Sequence, residues 1–260
     1  MAIRLGIRAD WRTLSASYDA GFSYIETSLR DCMQKSDSEF AELVRSTDDM
    51  PISAEVFSDM LPDDMHIVGE DVSAKALHEY LSRAFDRAKA LGGKIILLDA
   101  GMSRSAPVGF DMATAWRQTE NFLRILQGHA HAADISVAIL PLRRAETNIL
   151  NYVSEAVLMT SLVQMNHLGV AADMYQMAMV SEPCAALRNV PNLLYVRMVN
   201  TLGNLMPRRG DGENYAAFFQ TLRSAEYRGM VTCSGNTDRF ARSAKEAYAV
   251  LQAAYSEVHL

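Results

Sequence analysis

Short apolar runs alternating with longer amphipathic stretches predict a closed (β/α)8 TIM barrel of the α/β class. Three observations carry that prediction. Strand-like runs begin near Ile3, Phe22, Pro51, Lys94, Ser136, Leu168, Leu193 and Met230, and each is followed by a helix candidate. These eight β-then-α units within 260 residues match such a barrel in count and length. No linker, low-complexity tract or charge block divides the chain, so residues 1–260 are read as one barrel domain. An open doubly wound sheet is the alternative, but the Gly-x-Gly-x-x-Gly turn of its dinucleotide-binding version is absent.

Taken in order, the first residues, Met-Ala-Ile-Arg-Leu-Gly-Ile-Arg, lead straight into a strand, and Phe22-Ser-Tyr-Ile-Glu-Thr forms the second. A helix is expected from Ser73 to Leu91, where Leu77, Tyr80, Leu81, Ala84, Ala88 and Leu91 fall at helical spacing and give one buried stripe. Gly92-Gly93 ends it before Lys-Ile-Ile-Leu-Leu-Asp, which reads as a buried parallel strand. Further helices are expected over Met112 to Ala132, Asn151 to Gln164, Glu213 to Ala225 and Thr237 to Tyr255. The long irregular segments are Ser58 to Asp71, Gly101 to Asp111 and Asn200 to Asp211. All three follow strands, so in a barrel they lie on the face where active sites form, and any ligand site is expected there.

Half of the chain is hydrophobic and 22% is charged, which suits a globular protein with a full core. A net charge of -6 argues against nucleic acid as a partner, since phosphate binding needs a basic face. Cys32, Cys184 and Cys233 are odd in number and widely spaced, so neither a disulfide framework nor a zinc signature is expected. No apolar h-region and no span of about 20 apolar residues is evident, which makes membrane association unexpected and a cytoplasmic, reduced location the default. His129 and His131 are two residues apart on a helix and do not share a face, so they are not a metal pair. Met174, Met177, Met179, Met198 and Met206 gather around strands six and seven, where an adaptable core is expected. A methionine-rich rim also leaves room for an apolar ligand or for a homo-oligomer.

The stretch Val137-Ala-Ile-Leu-Pro-Leu-Arg-Arg-Ala-Glu-Thr-Asn resembles the strand-five segment I-A-I-E-P-L-N-R-x-E-T-N of the sugar-phosphate isomerase/epimerase family, the xylose-isomerase-like barrels. Other segments resemble that family in the same order: Phe22 to Thr27, Phe57 to Asp71, Glu146 to Leu150, Ala172 to Met177, Asn192 to Thr201, and Pro207 with Gly210-Asp211. The resemblance covers nearly the whole chain. It implies a barrel acting on a ketose, polyol or related carbohydrate.

The family holds a divalent cation with a Glu, an Asp, a His and a second Glu from strands five to eight. By position these become Leu140, Asp173, Arg197 and Ser234, so Asp173 alone retains a metal-binding carboxylate. A hard cation needs several oxygen ligands, and a fixed guanidinium repels it. No metal and no cofactor are therefore expected. Arg197 is expected to stand in for the metal's charge, paired with Asp173 or Glu146, while Leu140 fills the space of the first ligand.

The candidate catalytic residues are Glu146, Asp173 and Arg197; the candidate ligand-binding residues are Glu26, Gln176, Asn204 and Ser234. Gln176 takes the place of the family's His in D-x-x-H, and Asn204 takes that of an Arg after strand seven. Plainer alternatives stand beside these roles. Glu146 is equally a loop partner for Arg143 or Arg144, Glu26 equally an ion pair with Arg8, and Asp173 a salt bridge with Arg197 before it is a catalyst. The implied partner is a small polar or carbohydrate-like ligand. A non-catalytic binding barrel is the alternative function.

Overall fold

Parallel strands close into a ring: β1 (Arg4–Arg8), β2 (Ile25–Ser28), β3 (Ala54–Ser58), β4 (Ile95–Leu98), β5 (Ser136–Ile139), β6 (Leu168–Asp173), β7 (Leu193–Met198) and β8 (Met230–Cys233). They pair in sequence order, with β8 closing on β1. The computed structural model describes residues 3–164 and 166–259, so Met1, Ala2, Met165 and Leu260 lie outside the described residues. The connecting helices are α1 (Leu14–Ala20), α2 (Leu29–Gln34), α3 (Asp37–Asp48), α4 (Ala74–Ala90), α5 (Gly101–Arg104), α6 (Met112–Ala133), α7 (Val153–Val163), α8 (Met174–Met179), α9 (Tyr215–Ser224) and α10 (Phe240–His259). Among the described residues, no helix is long and apolar enough to cross a membrane.

The apolar strands divide their side chains between two cores, because successive residues of a strand face opposite ways. Ile95 and Leu97 join Val56, Ala138, Leu140, Ala171 and Tyr195 in a cluster inside the ring. Ile96 and Leu98 belong instead to the larger layer between ring and helices. This is why Lys-Ile-Ile-Leu-Leu-Asp carries no polar alternation: both faces are covered. Tyr24 lies inside the ring, where its hydroxyl meets the Thr232 hydroxyl at 2.9 Å. Gly6 makes this possible, since a Cβ there would stand 2.2 Å from the Tyr24 ring.

The helix from Ser73 to Leu91 forms with both expected ends as caps: the Ser73 side chain accepts the Ala76 N–H, and Leu91 closes the C-terminus. Leu77, Leu81, Ala84 and Ala88 are buried as the stripe requires. Other boundaries shift inward. Glu155 accepts from the Asn151 and Tyr152 N–H groups, holding them as the entry to α7, which begins at Val153. The segment expected to be irregular over Gly101 to Asp111 opens with the short α5, which buries Arg104.

At the N-terminal ends of the strands, Glu55 receives Arg4 at 2.6 Å and Lys94 at 2.8 Å. Burial works against the Glu55 charge, but these two cations outweigh it and hold the carboxyl below its ordinary value. This ion cluster seals the floor of the barrel. The other end is left for the long loops.

Candidate functional site

The C-terminal ends of the strands surround a cavity of about 410 Å³ lined almost wholly by polar side chains. Its centre is Arg197. Tyr195 and Arg197 are two residues apart on β7, so both face the inside of the ring and both reach Glu26 across it. The Arg197 Nε donates to Glu26 Oε2 at 2.9 Å, its Nη2 donates to Oε1 at 2.5 Å, and the Tyr195 hydroxyl donates to Oε2 as well. This is a planar two-pronged pair, which an ammonium could not make. Burial opposes the Arg197 charge, but Glu26 outweighs that and holds the guanidinium well above its ordinary value. Burial likewise pushes the Glu26 carboxyl up, and Arg197 and Arg8 outweigh it, so its value is lowered.

Arg197 pairs with Asp173 as expected, its Nη1 lying 3.5 Å from the carboxylate, but its closest partner is Glu26, which was not expected. Glu146 pairs with Arg143 instead. The expected ligand contact of Glu26 is corrected. Glu26 is fully buried and bonded beneath Arg197, so no ligand hydroxyl reaches it, and it is not among the cavity-lining residues. Its contact with Arg8 is a loose 3.5 Å.

Glu146, Gln176, Asn204 and Ser234 line the cavity with Asp173 and Arg197. Asp173 closes β6 and caps α8, accepting the Tyr175 N–H at 2.8 Å and the Gln176 N–H at 3.2 Å. Burial raises its value, with Arg197 pulling the other way. Gln176 accepts the Arg143 N–H at 2.7 Å and donates to both Glu146 oxygens at 3.3 Å. Arg143 donates to Glu146 at 2.6 Å and to the Tyr175 hydroxyl at 3.0 Å. Leu140 is fully buried in the inner apolar cluster. Asn204 holds a left-handed backbone, φ 53°, in the loop after β7.

Sequence reasoning missed several residues of this mouth. Asp99, directly after β4, lines the cavity with its side chain 7% exposed. Its Oδ2 lies 3.5 Å from Arg197 Nη2, and its Oδ1 accepts the Met60 N–H at 3.4 Å. Burial, then the neighbouring Asp59, push its carboxyl up to about 6. The signal was present, because a carboxylate at the C-terminal end of a barrel strand reads as functional. Arg8 and Asp59 form the opposite wall, 3.2 Å apart. Arg104 supports the site from behind, donating to the carbonyls of Leu98 and Leu140 at 2.9 and 2.8 Å.

The family description "Xylose isomerase-like TIM barrel" matches residues 14–254. The chain belongs to that family. Solved structures of similar fold include sugar epimerases. The xylose isomerase-like barrel overlays D-psicose 3-epimerase, crystallised in the presence of D-fructose, with a TM-score of 0.85, 18% identity, and coverage of 98% of this chain and 99% of that one. The D-allulose 3-epimerase of a Methylomonas species gives 0.84 at 19% identity over 98% and 100%. The 3-keto-D-glucoside 4-epimerase of E. coli gives 0.78 at 16% identity over 96% and 99%. No curated protein matches this sequence.

Proposed function

We propose that this chain is a divergent sugar isomerase or epimerase that takes a small carbohydrate of ketose type at the barrel mouth, without the family's divalent cation. The observation that carries the reading is the guanidinium of Arg197, which faces the cavity among carboxylates at the level where the strands end. Support for the substrate class comes from the fold neighbours, which include D-psicose and D-allulose 3-epimerases.

The four ligand positions implied by the family do not fit a divalent cation. Leu140 offers hydrocarbon, Ser234 a hydroxyl, and Arg197 a permanent positive charge. Asp173 is already bonded to two backbone N–H groups. Among the described residues, no three His, Cys, Asp or Glu side chains are arranged to hold a metal ion. The reaction is therefore assigned to this chain's own side chains. Arg197 polarises the substrate carbonyl through N–H donors, as a preorganised positive site does for a developing oxyanion. Asp173 or Glu146 moves the proton at the adjacent carbon. Gln176, Asn204 and Ser234 hold substrate hydroxyls.

A second reading, a barrel that binds a sugar or a partner without turning it over, is favoured by one observation: Glu146 is already engaged by Arg143 and Gln176. Two measurements test the proposal. Elemental analysis after dialysis is expected to find no stoichiometric metal, and one tightly held cation per chain beside Asp173 would sink the metal-free reading. D-fructose, D-tagatose or D-allulose incubated with the protein in deuterated water is expected to exchange a C–H proton. Binding without exchange would leave the pseudoenzyme reading standing.

A further inference from the structure

We propose that Asp99 is the second proton-transferring group of this mouth, working with Asp173 from opposite ends of the Arg197 guanidinium. The inference rests on the ketose-epimerase reading above and goes beyond it by naming the partner acid.

The carboxyls of the mouth are held in different ways. Glu26 is locked by Arg197 and Tyr195 and is withdrawn from the cavity. Glu146 is held at 2.6 Å by Arg143. Asp59 pairs with Arg8 at 3.2 Å. Asp173 accepts one short and one longer backbone bond. Asp99 is held only at long range by its cation and by Met60, 3.5 Å from Arg197 Nη2 and 3.4 Å from Met60 N, with a further backbone bond from Asp59. A buried carboxylate left with weak partners is costly unless it carries a proton or meets a ligand.

The placement adds to this. The Nε and Nη2 atoms of Arg197 are turned to Glu26. The outer edge of the guanidinium, Nη1 and Nη2, has Asp173 at one end and Asp99 at the other, each 3.5 Å away. A ketose oxygen bound on that edge has a carboxyl on either hand. The charged groups around Asp99 are Arg197, Asp59, Arg8 and Arg104, two of which also line the cavity opposite Arg197. In that setting the Asp99 carboxyl is pushed up to about 6, so both protonation states are present near neutrality.

The step balances. An ionised carboxylate on one side takes the C3 proton as the C–H bond breaks. The electron pair moves into the C2–C3 bond, and the C2 oxygen becomes an enolate oxygen held by Arg197. The carboxylic acid on the other side then gives its proton to the opposite face of C3, and the C2 carbonyl re-forms. The two Asp residues finish with exchanged protonation states, and water entering the open cavity resets them. No oxidant or further co-reactant is needed.

The test follows D-fructose, D-tagatose and D-allulose in deuterated water by NMR at C3, with wild-type protein, Asp99→Asn and Asp99→Gly. The proposal expects Asp99→Asn to lose epimerisation by about 100-fold or more. One epimer should still take up deuterium, because the other carboxyl remains. Sodium formate should restore part of the Asp99→Gly loss, which a merely structural role would not allow. Epimerisation by Asp99→Asn within about threefold of wild type, a span too small for a lost acid–base group, overturns the role of Asp99 while leaving the epimerase reading intact. Equal loss of exchange in both epimers, with no formate rescue, overturns it too. A wild-type protein inert toward all three ketoses sinks the epimerase reading and Asp99's role with it.

Discussion

Arg104, behind the mouth of the barrel, and Arg197, which lines it, are both buried, and they are held in opposite ways. Arg104 is fully buried and donates only to backbone carbonyls, those of Leu98, Leu140 and, at 3.4 Å, Leu150. Among the described residues its Nε has no hydrogen-bond partner, and burial lowers its value to about 10. Arg197 is clasped by Glu26 and flanked by Asp99 and Asp173. One cation ties together the ends of β4 and β5 and the loop behind them. The other gathers negative charge and keeps one edge toward a cavity. Arg104 staples backbone, fixing the carbonyl of Leu140, whereas Arg197 sets a positive charge among the carboxylates of the mouth.

The largest effect is expected at Arg197. Arg197→Leu leaves the buried Glu26 with the Tyr195 hydroxyl and the loose Arg8 contact at 3.5 Å, and the expected cost is about 3–5 kcal/mol by urea unfolding. Adding Glu26→Gln should recover part of that loss, whereas adding Glu146→Gln should recover none. Arg104→Met removes hydrogen bonds but also a desolvated charge, so its cost should be smaller, about 2 kcal/mol. If the two single variants cost the same, the clasp on Arg197 is not the stronger of the two.

The strands were legible because a buried parallel strand is written as an unbroken apolar run. Ile95 to Leu98 is buried at every position, as that reading requires. The residues at strand ends were legible too: Asp173 closes β6, Arg197 is the last residue but one of β7, and Ser234 follows β8. What the sequence did not disclose was pairing across the ring. Glu26 and Arg197 are 171 residues apart, and nothing local specifies that β7 side chains of this length reach β2. Arg104 stood in Gly-Met-Ser-Arg, a stretch with no periodicity to mark it as inward-facing. Asp99 ends the apolar run Lys94-Ile-Ile-Leu-Leu-Asp99, and a lone carboxylate there carries no local sign of the cation it meets across the ring.

A middle-sized effect sharpens the contrast between the carboxyls. The folded value of Asp99, about 6, lies above its ordinary 3.8, so the folded chain holds that proton more tightly than the unfolded chain. Ionising Asp99 therefore costs the folded state, and its contribution falls as pH rises from about 4 to about 6 and is flat above that. Glu26 behaves oppositely. Its lowered value adds stability above the ordinary 4.5, and that stability is lost as pH falls through the folded value. Asp99→Asn should match wild type near pH 4 and exceed it by roughly 2–3 kcal/mol at pH 7. Urea unfolding at the two pH values checks this. A variant less stable than wild type at pH 7 would show that Asp99 stabilises the barrel as an anion, contrary to its loose bonding.

The smallest expected effect is at the rim. Glu146 and Arg143 form a close pair at 2.6 Å, yet each side chain is 35% exposed. Exposed pairs gain little, because water and salt screen them and two long side chains lose freedom. Glu146→Gln should change stability by less than about 1 kcal/mol. That places Glu146 in a different class from Glu26, although both carboxylates accept from an arginine at the same mouth. The variant also separates the two roles offered for Glu146. If it moves a proton, Glu146→Gln should lower ketose turnover by about 100-fold at unchanged stability. If it only steadies Arg143, activity should stay within a fewfold of wild type, and Asp173 with Asp99 would carry the proton transfers alone.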